Sequence, residues 1–571
     1  CNEYLMRTAR PLPPNPAPDM RTLAPIACLA ATPFSVGRAQ ARTIFTHADT
    51  LRGSNTPQRA WWDATFYDLH VRVSPSDSSI RGHNAITYRT LQAGQEMQID
   101  LQPPHQIDSV VQNAGPLAIR HDGNAHFVML ATPQRAGDRG TITVYYHGKY
   151  GAPSGGGRGG RGGGFRWAVD SLGTPWISTS NEGPGASTWW PLKDYPADEP
   201  DSQRIAITVP DPIINVSNGR LRSTTPNGDG TTTYEWFVAN PINTYDVAVN
   251  ANANYVHFSD VYEGEKGKLT LDFWPLAYHL DVAKKQFQQA KPMLKCFEHW
   301  FGPYPWYADG YKLIEASYLG MEHQSGIAYG NRYLQGYTGR DLSNTGIGMG
   351  WDYIIVHESA HEWWGNSISA KDHADMWIHE SFGMYAEGLY TECQQNKEAG
   401  EKYLVGVRSS IRNDMPIIGT YGVQGTPSSQ DRYYKGASML MTMREVVNND
   451  ARWLATLRGL NATFWHQTVT ADQVRDYMSK ETRVDLSRIF RQYLETTMVP
   501  TLEYGIEGST LSYRWNNVVP GFDMPVRVTL SEGAMTRIRP TERWQTTKIR
   551  LKDPAAFRVD EVFYVTVKDV R

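Results

Sequence analysis

Residues 356–366 read VHESAHEWWGN. Within them His357, Glu358 and His361 stand as H-E-x-x-H on a segment with helical periodicity. At about 100° per residue, positions four apart lie about 40° apart in azimuth and about 6 Å along the axis, so both imidazoles can reach one ion. Neutral imidazole nitrogens suit Zn²⁺, and a catalytic zinc site needs three protein ligands with a fourth position left open to water. A third ligand is therefore required. After eighteen intervening residues comes Glu380, in MWIHESFGMYAEGLY, on a helix-patterned segment that can return antiparallel to the first. Its carboxylate completes a His₂Glu set for one zinc ion. A solvated helix face that happens to carry two histidines has no use for Glu380.

Outward from this centre the periodicity stays helical. Helices are expected around Leu280 to Trp300, Gly350 to Asn366, Trp377 to Gln395, Tyr434 to Asn448 and Ala451 to Thr463, with a last one over Asp485 to Thr497. Thr470 and Gln473 form a capping box ahead of QVRDYM. On the amino-terminal side, from Ala60 to about His257, short alternating runs such as FYDLHVRV, TITVYYHGKY and RIAITVP read as strands. On the carboxyl-terminal side alternation returns from Thr501 to Arg571, enough for a small sandwich. The expected architecture is a multidomain α+β chain: residues 60–257 a β domain, 258–500 an α-rich catalytic domain, 501–571 a β-sandwich, and 1–59 a leader and linker.

Composition narrows the partners. Among 571 residues, 56 basic and 59 acidic side chains nearly cancel, so no whole-protein field draws the chain to nucleic acid or an anionic membrane. The glycine-rich run over 155–164 is expected to be a flexible loop and not a nucleic-acid segment. The four cysteines form no C-x-x-C pair, which argues against a thiolate zinc site, and whether Cys296 and Cys393 pair is left open. The paired tryptophans Trp61-Trp62, Trp189-Trp190 and Trp363-Trp364 are expected to be packing residues. Residues Met20 to Ala41, with a basic residue, an apolar stretch and an A-x-A ending, resemble a secretory signal, so export is expected over a cytoplasmic location. No run of eighteen apolar residues occurs, and no membrane-spanning helix is expected.

The zinc constellation limits the chemistry. Zinc lowers the pKa of a bound water to about 7, and Glu358, not itself a ligand, can take the proton as the water attacks a carbonyl. HESAHEWWGN, the spacing to Glu380 and the later RYYKGASML together resemble the aminopeptidase N and leukotriene-A-hydrolase family of zinc peptidases. That resemblance implies a saddle-like β domain, a thermolysin-like catalytic domain and a short β-sandwich; many members carry a further helical domain, which is not expected within these 571 residues. It places a Y-x-K-G motif on Tyr433, Lys435 and Gly436, and so implies Tyr433 as the phenol that stabilises the tetrahedral intermediate.

SYLGMEHQSGIAYGN is similar to the family's G-x-M-E-N exopeptidase motif: Met321 and Glu322 coincide, Gly320 is small as expected, Leu319 replaces the first glycine and His323 the asparagine. The resemblance implies that Glu322 pairs with a substrate ammonium, a charge-assisted contact that selects a free amino terminus. A looser match over NEGPGASTWWPLKDYPADEP implies Glu182 as its partner, with Ser180 at the position of an acceptor that is normally glutamine. His379 sits where the family usually has asparagine, and Tyr318 and Leu319 are expected to line the pocket for an apolar or aromatic first side chain. The function expected is removal of single amino-terminal residues from peptides. A thermolysin-type endopeptidase needs the same triad without the anionic block at Glu322, and a noncatalytic scaffold has no need of Glu358.

Overall fold

The structure of the protein, a computed structural model, describes residues 44–150, 163–425 and 429–570. The signal-like segment over 20–41 and most of the glycine-rich run lie outside the described residues. Part of the segment read as linker is folded. Thr46 caps the helix His47–Gly53 with a capping box, and Pro57–Ala60 makes one more turn that leads into the first strand. Arg59, fully buried, ties this turn to Asp100 at 2.5 Å.

Alternating residues from position 62 onward build an eight-stranded sheet in which only Trp62–Ser74 and Ser202–Pro210 run parallel. Along Trp62–Ser74 the inward positions Tyr67, Leu69, Val71 and Val73 are all buried, the period-two pattern of a sheet with one covered face. Two smaller sheets complete this β domain, one of which carries Pro175–Ser180. Its core is a single cluster that includes Trp61, Trp62, Trp189 and Trp190.

The next region opens with a five-stranded sheet ordered so that the short strand Gly320–Met321 lies at an edge. Helices follow where the periodicity places them: Ala290–Phe301, Tyr353–Ala360, Trp377–Gln394, Asp431–Val447, Asp450–Thr463, Ala471–Thr482 and Ser487–Leu494. The Thr470 capping box forms as expected. Two differences are local. The zinc-motif helix is shorter than its periodicity, because Asp352 fixes its start and the chain turns at Gly365, whose φ of 129° suits glycine. A helix over Lys397–Val407 went unread, although Asn396 caps it. Cys296 and Cys393 form a disulfide that joins two helices.

After residue 500 the chain makes a four-stranded sheet and a separate hairpin, Val526–Ser531 with Ala534–Ile538. These strands have no core of their own: Leu502, Trp515 and Val526 belong to the same buried cluster as Trp363, Trp364 and Leu440. The described chain thus has two large cores, one under the β domain and one shared by the helical region and the carboxyl-terminal strands. A third cluster of Ala316, Met321 and Ala328 packs against Tyr245 and Tyr318 where the two regions meet. No helix among the described residues is long and apolar enough to cross a membrane.

Candidate active site

The zinc motif sits on a helix that is buried along its whole length. Asp352 starts it, accepting from the backbone N–H groups of Ile354 and Ile355 at 3.0 and 3.3 Å, while Tyr329 and Asn331 bond the same carboxylate. Glu380 comes from the first turn of Trp377–Gln394. Its Oε2 lies 3.7 Å from His357 Nε2 and 3.6 Å from His361 Nε2, and the two imidazole nitrogens are 3.3 Å apart.

The far side of each ring says what this convergence is for. His357 Nδ1 is 2.7 Å from Glu387 and His361 Nδ1 is 2.9 Å from the Trp364 carbonyl, so both Nδ1 atoms carry protons as donors. In the neutral tautomers both Nε2 atoms then present lone pairs to one another and to a carboxylate, an arrangement that fits a cation held between them. Two imidazoles, one carboxylate and their outer partners are the donor set of a catalytic zinc site.

Glu358 lies beside the triad, with a ligand atom within 4.8 Å of Glu322 and His361. Burial pushes its carboxyl up to about 8, against the pull of His357 and with the help of Glu322, Glu380 and Glu387. The edge strand passes close by. A Cβ on Gly320 would stand 2.8 Å from Glu358 Oε1 and 2.9 Å from the Ile354 side chain, so a larger residue there would displace both side chains. Tyr433 starts the helix Asp431–Val447, and its hydroxyl donates to Glu380 Oε1. Gly436 lets that helix approach Trp377–Gln394: a Cβ at this position would meet Ser381 Oγ at 1.7 Å. The Y-x-K-G glycine thereby sets the distance between the phenol and the third ligand.

The other end of the site is anionic. Glu322 accepts from Tyr245 at 3.0 Å and lies 3.9 Å from His379 Nδ1 and 4.0 Å from His361 Nε2. Burial works to raise this carboxyl, but His361, His379 and Tyr245 outweigh it and hold the group at about 2. Glu182, which follows the strand Pro175–Ser180, brings a carboxylate oxygen within 4.8 Å of Glu322 and His379. Its Oε1 is buried without a hydrogen-bond partner, and burial together with Glu322 and Glu380 pushes it up. His379 Nε2 accepts from the Ala370 N–H at 2.9 Å, so Nδ1 is the protonated nitrogen and faces the carboxylates as a donor. Met321 is packed under Ser180, whose hydroxyl lies 3.7 Å from its sulfur. His323 is buried with neither ring nitrogen bonded.

All nine residues singled out in the sequence, His357, Glu358, His361, Glu380, Tyr433, Glu322, Glu182, Gly320 and Met321, fall at this one place. Three that sequence reasoning missed join them. Glu387 stands seven residues after Glu380 on the same helix, about two turns on and so on the same face, a signal that was there to use. Arg432 has Nη2 3.3 Å from Glu380 Oε1, and its guanidinium lies 5.2 Å from the Tyr433 ring centre. Tyr245 comes from the β domain, and nothing in its neighbourhood in sequence marks it.

Comparison with known proteins identifies the family. The model of the peptidase family M1 domain matches residues 285–493, and that of the peptidase M1 N-terminal domain matches residues 64–246. Aminopeptidase N of Lactobacillus helveticus is 25% identical over 247 residues, 40% of this chain and 27% of that protein. Leukotriene A-4 hydrolase of Xenopus laevis is 24% identical over 253 residues, 42% of this chain and 38% of that protein. The chain thus matches only about a quarter to two-fifths of the length of these relatives. In fold it is similar to the M1 zinc metallopeptidase from Deinococcus radiodurans, with a TM-score of 0.64 at 21% identity over 77% of this chain and 94% of that one. A mutant of that metallopeptidase, solved with a Tyr-Ser-Ala substrate, gives a TM-score of 0.63 at 20% identity over 78% of this chain and 96% of that one.

Proposed function

Because the chain belongs to peptidase family M1, we propose that it is a zinc-dependent aminopeptidase that removes single residues from the free amino terminus of peptides. The observation that carries the proposal is the pair Glu322 and Glu182 beside the His357, His361, Glu380 set. Two carboxylates at one end of the site are costly unless a cation answers them, and a peptide ammonium is such a cation. With the ammonium held there, the first peptide bond falls at the metal.

When bound, zinc supplies Lewis acidity toward a water and a peptide carbonyl. The remaining work belongs to side chains. Glu358 takes the proton of the attacking water on its carboxylate and returns it to the nitrogen of the departing amine. Burial favours the protonated form of the Glu358 carboxyl, which strengthens it as the acceptor of that proton. Tyr433 turns its hydroxyl from Glu380 toward the carbonyl oxygen as charge develops there, where a fixed donor counts most. The free edge of Gly320–Met321 offers main-chain groups to an extended substrate. Glu387 and the Trp364 carbonyl keep the two imidazoles in the tautomer and orientation the metal requires.

In this reading residues 60–257 and 258–500 are the saddle-like and thermolysin-like domains of the family and 501–571 a β-sandwich. Export is proposed with it. The Cys296–Cys393 disulfide supports an oxidising compartment, in keeping with the signal-like pattern of residues 20–41. The test is mass spectrometry on short peptides with free and acetylated amino termini, with and without a chelator. Chelator-sensitive, stepwise loss from the free terminus alone is the expected result. Internal cuts in both peptides would make the protein an endopeptidase.

A further inference from the structure

Next to the anionic end of the site the protein has a cavity of about 730 Å³. Its wall includes Glu182 and Arg432 from the site itself, His373 and Met376 from the approach to the Glu380 helix, and Asp49 and Arg52 from the helix His47–Gly53. Glu182 and Arg432 therefore belong to two places at once. Glu182 faces Glu322, and Arg432 reaches Glu380, the third zinc ligand.

In a substrate the ammonium, the scissile carbonyl and the first side chain all branch from one carbon. With the ammonium at Glu322 and Glu182 and the carbonyl at the metal, the third branch needs a space beside Glu182, and this cavity supplies one. Tyr318 and Leu319, expected to line the pocket for the first side chain, line a neighbouring cavity of about 510 Å³, and Tyr318 also packs against Met321.

The charges on the wall are unequally committed. Asp49 keeps its charge but is held at the start of its helix by the capping box, its Oδ2 accepting from both the N–H and the hydroxyl of Thr46 at 2.8 Å. Glu182 is assigned to the ammonium. Arg52, by contrast, donates one Nη2 bond, to the Pro184 carbonyl at 2.5 Å, and has no carboxylate within ion-pair distance among the described residues. Arg432 uses Nη2 on Glu380 and Tyr433, while its buried Nε has no partner. A guanidinium carries five N–H donors, so Arg52 brings this wall a positive charge without a carboxylate partner among the described residues and donors not used on the protein.

We propose that this cavity receives the side chain of the substrate's first residue and, through Arg52, selects glutamate or aspartate there. Arg52 is the specificity residue, since it touches none of the zinc ligands, whereas the charge of Arg432 is answered by Glu380. The proposal rests on the aminopeptidase reading above and would make the substrates peptides that begin with an acidic residue.

The test compares kcat/KM for four peptides that differ only in a free amino-terminal residue: Glu, Gln, Leu or Arg. A charge-assisted contact in place of a neutral one predicts about a 10- to 100-fold advantage for Glu over Gln. Arg52→Gln should cut that ratio about tenfold, with the Glu peptide losing far more than the Leu peptide. A measurement on the unaltered enzyme keeps the test independent of how the variant folds: free glutamate should inhibit cleavage of the Leu peptide at a concentration about tenfold below that needed for glutamine. Amino-terminal cleavage in which Glu is no better than Gln, or in which Leu is best and Arg52→Gln changes nothing, overturns the acidic pocket alone. Loss of no residue from any free amino terminus would refute the aminopeptidase reading and this proposal with it.

Discussion

Replacing Glu387 by glutamine should weaken zinc binding while leaving the fold in place. Glu387 is fully buried, with Oε1 2.7 Å from His357 Nδ1 and Oε2 2.5 Å from the Tyr403 hydroxyl. Its negative charge favours the Nδ1–H tautomer and raises the basicity of the Nε2 lone pair that faces the metal. Glutamine keeps the shape. Its carbonyl can still accept from Nδ1–H, and the Tyr403 hydroxyl can turn to accept from its amide, so both hydrogen bonds survive and only the charge is lost. Outer partners of metal-bound histidines typically contribute about 10- to 100-fold in affinity, which is about 1.4–2.8 kcal/mol. Glu387→Ala differs in kind, since it strands a buried N–H and a buried hydroxyl at about 1–3 kcal/mol each. Competition with a chromophoric chelator gives the zinc dissociation constant, and thermal melting of the metal-free protein gives the stability. Glu387→Gln should shift the first by one to two orders of magnitude and barely move the second, with activity recovered at excess zinc. Unchanged zinc affinity, or a melting loss as large as that of Glu387→Ala, would refute the reasoning.

Glu358→Gln should keep zinc yet lower kcat by about 10²- to 10⁴-fold; loss of the metal on chelator titration would instead make Glu358 a ligand. Tyr433→Phe should lower kcat by about 10²- to 10³-fold with little change in KM, because its bond to the substrate forms as charge develops, and a pure KM effect would reassign it to substrate positioning. The Cys296–Cys393 bridge spans 97 residues, so a Cys296→Ser, Cys393→Ser double variant should lose about 2–5 kcal/mol, read as a lower denaturant midpoint that reduction of the native protein reproduces. Equal midpoints with and without reductant would remove the disulfide from the account of stability.

What could be read from the sequence follows from what each signal depends on. Spacing along one helix is local information, so His357, Glu358 and His361 were legible, and Glu387 would have been had the same face been followed two turns past Glu380. The helix Asp431–Val447 and the Thr470 capping box were legible for the same reason, since period and cap both lie within a few residues. The boundaries of Tyr353–Ala360 were not, because its start is fixed by Tyr329, Asn331 and Gln286 bonding Asp352 from elsewhere in the chain. Glu182 and Tyr433 needed the family resemblance, as no periodicity separates a site carboxylate or phenol from an ordinary one. Tyr245 and Arg52 stayed invisible because each reaches the site through the packing of one sheet or helix against another. The shared core of the helical region and the last strands was equally hidden: alternation locates strands, but it does not say which cluster their buried faces join.

The two large cores divide the labour of the site unevenly. The zinc ligands, Glu358, Tyr433 and Glu322 all belong to the region built on the helical core, whereas Glu182 and Tyr245 are carried by the β domain. On the proposed function, the distance from the ammonium to the scissile bond is therefore a gauge set between two packed cores, with Ala316, Met321 and Ala328 as the shim. A gauge of this kind fails by losing tolerance before it loses function. Substitutions that slacken the shim should leave metal and hydrolysis in place while the cut wanders from the first bond, so cleavage register would report on the seam long before melting temperature does.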